Sequence, residues 1–400
     1  MSLNDTPRSD RIHIGFFGRR NAGKSSLLNA ITGQNLSIVS PVEGTTTDPV
    51  YKSMELLPLG PVVVIDTPGL DDNGELGLQR VKKARQVMNK TDLALLAADA
   101  SIPLSDDDLA LQTLLKEKNI PFITVRTKSD LLDEIPQNED EQTIWVSTKT
   151  GQNIHELKER LAALLPPEEP ACLVSDLVSP LDVVVLVVPI DKAAPKGRLI
   201  LPQQQTIREL LEAGAISVVV REHELKQTLE SLGKRPALVI TDSQAFAQVS
   251  KDTPADIALT GFSILFARSK GNLKESVAGL NALSQLQDGD KILIAEGCTH
   301  HRQCDDIGTV KLPRWINQFT GKKTDYVFTS GTEYPEDLSP YRLIVHCGGC
   351  MVNAREMKYR IAQAVDQKIP ITNYGILIAH TQGILRRSIE MFPDIRRLLD

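Results

Sequence analysis

The run RIHIGFFGRRNAGKSSLLNAITG, residues 11–33, constrains this chain more than any other stretch. A short apolar strand leads into GRRNAGKS, residues 18–25, which fits G-x-x-x-x-G-K-[ST] without a mismatch and opens directly into a helical pattern. Glycine at these places lets successive backbone N–H groups turn toward phosphates, and the helix N-terminus adds favourable partial charge. The expected phosphate contacts are Gly18, Asn21, Ala22, Gly23, Lys24, Ser25 and Ser26. Lys24 would neutralise the β and γ phosphates, and the Ser25 hydroxyl would bind Mg²⁺.

A loop of this kind needs a sheet behind it, and the downstream pattern supplies one. Apolar runs at Val62–Ile65, Leu93–Ala97, Phe122–Val125 and Ile144–Val146 read as strands, with helical stretches at Gly77–Asn89, Asp106–Lys118 and Ile154–Leu165. Strands alternating with helices imply a mostly parallel sheet covered on both faces. Residues 166–180, dense in Pro and charge, read as a linker. A second α/β stretch follows, with strands at 182–190, Ile216–Val220 and Ala237–Thr241, helices at Pro202–Ala213 and His223–Leu232, and an ambiguous apolar segment at Ile257–Ala267. From about Lys270 a third begins, with strands at Lys291–Ala295, Tyr326–Thr329, Leu343–Val345 and Ile369–Thr372 and a helix at Ala354–Gln367. The chain of 400 residues therefore reads as three α/β domains: residues 1–170 around the phosphate loop, 171–268 without an evident chemical motif, and 269–400.

Further nucleotide elements arrive in order, each after a strand. Asp66-Thr-Pro-Gly69 can hold the Mg²⁺ shell through Asp66 and approach the γ-phosphate through the Gly69 N–H. In Thr127-Lys128-Ser129-Asp130, the Asp130 carboxylate can accept both guanine donors, N1–H and the exocyclic amine, with Lys128 packing on the ring. Adenine cannot match that pair, so GTP is the expected nucleotide. Ser147-Thr148-Lys149 completes the set. Together these motifs resemble the TrmE/Era-like branch of GTPases over residues 11 to about 165. The resemblance implies that Gly44-Thr45-Thr46-Thr47-Asp48 is a switch sequence with Thr46 as second Mg²⁺-binding hydroxyl, and that Asn21 helps bind K⁺. Leu70 stands where Ras-like GTPases carry a water-orienting Gln, so slow intrinsic turnover is expected unless K⁺, another residue or a partner supplies the missing stabilisation.

The last third carries a different constellation. Cys298-Thr-His300 and His346-Cys347-Gly-Gly-Cys350 form C-x-H…H-C-x-x-C, with 45 residues between the histidines. Both cysteine groups fall just after predicted strands, where open α/β sheets place their ligands. Three thiolates and a histidine suit a tetrahedral zinc site and equally an iron–sulfur cluster with one iron differently ligated. Spacing leaves both open. Five cysteines cannot form a fully paired disulfide scaffold, and their crowding suggests metal ligation in a reducing cytoplasm.

This constellation, behind a GTPase and a middle domain, resembles the [FeFe]-hydrogenase maturation GTPase (HydF) family. Phrases such as VVLVVPIDKAAPKGRLILPQQQTIRELL and EGCTHHRQCDDIGTVKLPRWI carry the resemblance across nearly the whole chain. It implies a [4Fe–4S] cluster on Cys298, Cys347 and Cys350, with the fourth position open or weakly ligated; His300 and His346 are candidates for it. It further implies a homodimeric scaffold joined through the middle domain. That scaffold would receive a diiron precursor made with two radical-SAM maturases and deliver it to apo-[FeFe]-hydrogenase.

The competing expectation is an RNA- or ribosome-associated TrmE/Era-like GTPase with a structural zinc module. The balance of 17 Lys/Arg against 15 Asp/Glu from Lys270 onward is too even for an obvious phosphate-binding surface, and a formal charge of −6 argues against general nucleic-acid or anionic-membrane binding. The longest apolar runs, such as Val183–Val188, fall far short of the roughly 20 residues that span a bilayer, and no apolar leader segment is evident. Among the remaining residues, Arg386-Arg387 reads as a solvated helix face, Tyr326, Tyr341 and Tyr374 as packing residues, and Cys172 as a bystander.

Overall fold

The computed structural model of the chain describes residues 6–34, 49–67, 83–136, 140–165, 172–190, 199–297, 306–331 and 333–399. These form two compact units, Met1–Glu169 and Pro170–Asp400. In the first, strands β1 (Ile12–Phe17), β2 (Val50–Leu56), β3 (Gly60–Asp66), β4 (Leu93–Asp99), β5 (Phe122–Thr127) and β6 (Thr143–Trp145) build a sheet in the order β2-β3-β1-β4-β5-β6. The runs IHIGFF, LALLAAD and FITVRT are buried almost throughout, as central parallel strands covered on both faces should be. Strand β2 is the one antiparallel member among the described strands, paired from Val50↔Asp66 to Leu56↔Gly60. The sequence reading contains no such strand. VYKSMEL sits at the sheet edge, half in solvent, and lacks the apolar density of its neighbours.

Helix α1 (Lys24–Thr32) packs Leu27, Leu28 and Ile31 into one core of this unit. Helix α2 (Asp106–Glu117) starts at a capping box in which Ser105 and Asp108 satisfy each other's backbone donors. Helix α3 (Ile154–Ala163) buries Ile154, Leu157 and Leu161, a spacing that places all three on one face.

The second unit contains two four-stranded, wholly parallel sheets. One is built from β7 (Val183–Val187), β8 (Ile216–Val220), β9 (Leu238–Thr241) and β10 (Ala258–Gly261), in the order β10-β9-β7-β8. The other comprises β11 (Lys291–Glu296), β12 (Asp325–Ser330), β13 (Leu343–His346) and β14 (Ile371–Asn373), in the order β12-β11-β13-β14. Both follow one plan: the second strand lies outside the first, and the third and fourth follow on the other side. The chain reverses its winding between first and third strand, which makes that crevice the natural ligand position.

One apolar cluster joins the two sheets. It includes Val184, Leu186 and Ile240 from one and Ile292, Ile294 and Val345 from the other. Between them run α4 (Leu201–Glu212), α5 (Phe262–Ser269), α6 (Leu312–Thr320) and α8 (Tyr374–Thr381), while α7 (Ala354–Asp366) packs Met357, Ile361 and Ala364 on the other face of the second sheet, against Leu293 and Ile344. Helix α8 buries five successive residues, Gly375–Ala379, so it is apolar on every side, as a helix enclosed by its neighbours must be.

Three sequence expectations change here. The ambiguous segment 257–267 is both things: β10 runs straight into α5 at Gly261. The described part of the presumed linker is docked, since the backbone N–H groups of Leu173, Val174 and Ser175 all donate to the Glu209 carboxylate of α4. Arg387 is no solvated side chain; it donates to the carbonyls of Ser250, Thr253 and Pro254, satisfying backbone acceptors that a short helix leaves free at its end. No helix among the described residues is long and apolar enough to cross a membrane.

Candidate functional site

Two sets of sequence-predicted residues lie at the carboxyl ends of parallel strands, one in each unit. In the first unit the loop after β1 turns back sharply. Gly18 has φ +138°, and a Cβ there would lie 2.3 Å from the Ala97 carbonyl oxygen, so no side chain fits. Asn21 also lies in the left-handed region, at φ 60°. The Thr127 hydroxyl donates to the Ala22 carbonyl over 2.8 Å, tying the loop to the end of β5. Lys24 is buried, and its ammonium donates to the Gly18 and Arg19 carbonyls at 2.9 and 2.6 Å, wrapping the side chain over the loop.

Asp66 ends β3 beside this loop. Burial pushes its carboxyl above the usual range, while the Lys24 charge and the Ser25 hydroxyl pull it back. Its Oδ1 is buried with no hydrogen-bond partner. An orphaned carboxylate oxygen next to a serine hydroxyl suits part of an Mg²⁺ oxygen shell, and an oxygen-binding cation there would remove the cost of that burial. Thr46 and Gly69 lie outside the described residues.

The two motifs expected to read the base meet across two loops. Asp130 Oδ1 accepts from the Ser147 hydroxyl at 2.7 Å, and Ser147 Oγ in turn accepts from the Lys149 and Thr150 N–H groups. Thr148 lies between them, so Thr127-Lys128-Ser129-Asp130 and Ser147-Thr148-Lys149 form one continuous rim. Lys128 is held by Asp99 at 2.6 Å. Sequence reading missed Asp99: it is simply the last residue of β4, and only the sheet brings it beside Lys128. Burial alone would raise its carboxyl, but hydrogen bonds from Lys128 and Ser101 hold it at about 2.

In the second unit, Cys347 follows β13 directly, and its N–H donates to the Ala295 carbonyl of β11 at 2.9 Å. The Cys347 sulfur accepts from the Gly297 N–H at 3.0 Å and the Gly349 N–H at 3.4 Å. The next residue after Gly297 is Cys298, which with His300 lies outside the described residues. A Cβ on Gly297 would approach Val352 Cγ2 to 2.4 Å and the Cys347 sulfur to 3.5 Å, so this cradle admits backbone only.

Cys347 and Cys350 are both free thiols. Burial pushes both thiols up; the N–H donors oppose this at Cys347, and the Lys270 charge opposes it at Cys350. Protonated, they are inert; a thiophilic metal would deprotonate them on binding, and N–H donors to sulfur are the usual support for a metal-bound thiolate. The pair therefore fits a soft metal or an iron–sulfur cluster. Among the described residues, no group of three or more His, Cys, Asp or Glu side chains could hold a metal ion.

His346 is buried with both ring nitrogens engaged: Nδ1 with the Cys347 carbonyl at 2.7 Å and Nε2 with Arg360 Nη1 at 3.0 Å. Burial, with Arg360 and Lys270 adding to it, lowers its pKa to about 3, so the ring is neutral. Tyr374 opens α8 with its hydroxyl 3.4 Å from Glu296 Oε1, and burial drives the phenol far up. Neither Arg360 nor Lys270 was anticipated. Arg360 stands four residues after Glu356, a spacing that on an isolated helix reads as a solvent-facing ion pair.

Comparison with known families divides the chain in three. Residues 13–128 match the 50S ribosome-binding GTPase family, 173–271 the hydrogen maturase F dimerization domain, and 274–391 the hydrogen maturase F tetramerization domain. The chain belongs to the hydrogen maturase F family. Its first unit carries the GTPase domain of this family member.

Similarity to curated proteins is confined to a part of the chain. GTPase Der of Wolinella succinogenes is 34% identical over 165 residues, covering 38% of this chain and 35% of its own length. The tRNA modification GTPase MnmE of Roseiflexus sp. is 40% identical over 166 residues, covering 37% and 35%. The chain thus spans about a third of the length of these relatives. Among solved structures, an Era variant of Aquifex aeolicus bound to GDP.AlF4- aligns at TM-score 0.35 and 21% identity, over 55% of this chain and 98% of that one.

Proposed function

We propose that this member of the hydrogen maturase F family is a GTP-hydrolysing scaffold. It would carry a [4Fe–4S] cluster and deliver a diiron precursor to apo-[FeFe]-hydrogenase. Its own reaction is GTP + H₂O → GDP + phosphate. Lys24 and the N–H groups of Gly18–Ser26 bind the phosphates, and Ser25, Thr46 and Asp66 surround Mg²⁺. The Gly69 N–H faces the γ-phosphate and Asn21 contributes to a K⁺ site. Asp130 reads guanine, Lys128 covers its ring, and the Ser147–Lys149 loop supports the rim. The orphaned Asp66 oxygen beside Ser25 supports the Mg²⁺ assignment.

The observation that carries the cluster assignment is the Gly297 N–H on the Cys347 sulfur at 3.0 Å, one residue before Cys298. It brings the chain leading into the first cysteine to the second. Cys298, Cys347 and Cys350 would hold the cluster, which when bound supplies an iron open to an exchangeable ligand; His300 is a candidate for that place. Residues 1–170 serve as GTPase domain, 171–268 as dimerisation domain and 269–400 as cluster domain. The working form would be a cytoplasmic homodimer that meets two radical-SAM maturases and apo-hydrogenase.

Anaerobic purification of the full chain with iron, sulfide and zinc quantified tests this reading. Iron and sulfide in cluster proportion support it, and stoichiometric zinc with near-zero iron overturns it. The competing RNA-associated zinc protein is opposed by the near balance of charge after Lys270 and by the two hydrogen maturase F domain matches.

A further inference from the structure

The C-x-x-C loop is gripped from two sides by buried side chains. On one side stands His346. A carbonyl oxygen only accepts, so the 2.7 Å contact with Cys347 O places the ring proton on Nδ1. A guanidinium only donates, so the 3.0 Å contact with Arg360 uses the Nε2 lone pair. No lone pair is left for a metal. Arg360, 1% exposed, is itself fixed by the Glu356 carboxylate at 2.9 Å and the Gly331 carbonyl at 2.8 Å. Turning the His346 ring outward would take one partner from the buried Arg360 guanidinium and the ring N–H from the Cys347 carbonyl, both unfavourable.

On the other side is Lys270, which caps α5 just before the end of the dimerization-domain match and is almost wholly buried. Its ammonium donates to the carbonyls of Gly349 and of Val352, the latter at 2.8 Å. A residue of one module thus holds the thiol loop of the next.

We propose that His346 is a positioning residue and not a ligand, and that His346 and Lys270 together clamp the C-x-x-C loop in the shape that presents Cys347 and Cys350 to iron. The proposal rests on the cluster reading above. Its test uses the full chain, reconstituted anaerobically with Fe²⁺ and sulfide, as wild type, Cys350→Ser, His346→Gln, His346→Leu and Lys270→Met. Wild type and Cys350→Ser judge the cluster reading first; equal iron in both would overturn that reading and the clamp with it.

Given a difference, the clamp is read from iron release to a chelator and from nitrogen hyperfine coupling in the reduced protein. A glutamine can donate to Cys347 O and accept from Arg360, so His346→Gln is expected to release iron within about two-fold of wild type. His346→Leu and Lys270→Met should release it about ten-fold faster or more, the size of effect seen when groups supporting metal ligands are lost. The nitrogen coupling should be the same in wild type and His346→Gln. A histidine coupling present in wild type and lost in His346→Gln would make His346 a ligand and overturn the proposal. Wild-type release rates in Lys270→Met would also overturn it. Should His346→Leu fail to fold, the spectra of wild type and His346→Gln still decide.

Discussion

After β1, the chain offers a lysine and a glycine loop whose backbone curls around the place a phosphate would take, with an acidic oxygen left unpaired beside a serine. After β13, it offers two partly buried thiols, with two N–H groups aimed at the Cys347 sulfur and a neutral histidine locked behind them. Both sites use the carboxyl ends of parallel strands, where the sheet stops and loops diverge. The sheet of β7–β10 has the same strand order as that of β11–β14, yet at the corresponding end it places Asp242, which accepts from the buried Gln203 at 2.6 Å. Strand order therefore supplies the crevice, and the few residues just beyond the strands decide what enters it. Charge separates the two site designs. The phosphate loop provides cation and dipole for an anionic ligand that arrives from water, whereas the thiols, raised by burial, would become anionic only if a metal displaced their protons.

The sharpest way to break this comparison is a crossed pair of variants. Lys24→Ala should lower GTP turnover about a hundred-fold or more, because a cation aimed at developing phosphate charge is worth several kcal/mol in a partly dehydrated site. It should leave reconstituted iron at the wild-type level. Cys347→Ser should do the reverse, losing most of the iron with phosphate release intact. Loss of both properties in either variant would mean that the two sites are not chemically separate.

A smaller effect sharpens the nucleotide half. Asp130→Asn removes the carboxylate proposed to accept both guanine donors, and GTP turnover should fall about a hundred-fold. Xanthosine triphosphate, whose ring offers an acceptor where guanine has its amine, should recover much of it. Equal losses with both nucleotides would place base reading elsewhere.

The smallest effect concerns the rim rather than the chemistry. Asp99 is held at about 2, below its ordinary 3.8, so its pairing with Lys128 contributes stability above about pH 4 that is lost as pH falls toward 2. With Lys128 partly exposed, solvent screening limits this to about 1 kcal/mol. Denaturant unfolding of wild type and Asp99→Asn should differ by that amount at neutral pH and converge near pH 2; a constant difference would remove the ion pair as its cause.

Much of the architecture was legible from local pattern. Central strands such as LALLAAD and VVVLV are apolar runs bounded by turns, and Leu111 and Leu115 lie on one face of α2 beneath its Ser105 cap. What escaped was the element half in solvent, β2, and the docked segment around Leu173, whose charge density hid three N–H bonds to Glu209. At the sites, the contrast is between residues that act through spacing and residues that act through packing. Asp99, Lys270 and Arg360 belong to no motif because their partners lie 29, 82 and 14 residues away.

By itself, the order of amino acids determined the phosphate loop and pointed to the candidate guanine-reading and sulfur-donor residues. Each of these depends on backbone shape over a few neighbouring positions, which local residue types dictate. Only the folded chain decided that His346 has no nitrogen to spare, that Asp66 keeps an oxygen waiting and that a lysine of one module secures the thiol loop of the next. Those outcomes follow from dehydration, which depends on every element that closes over a group and so cannot be read one segment at a time.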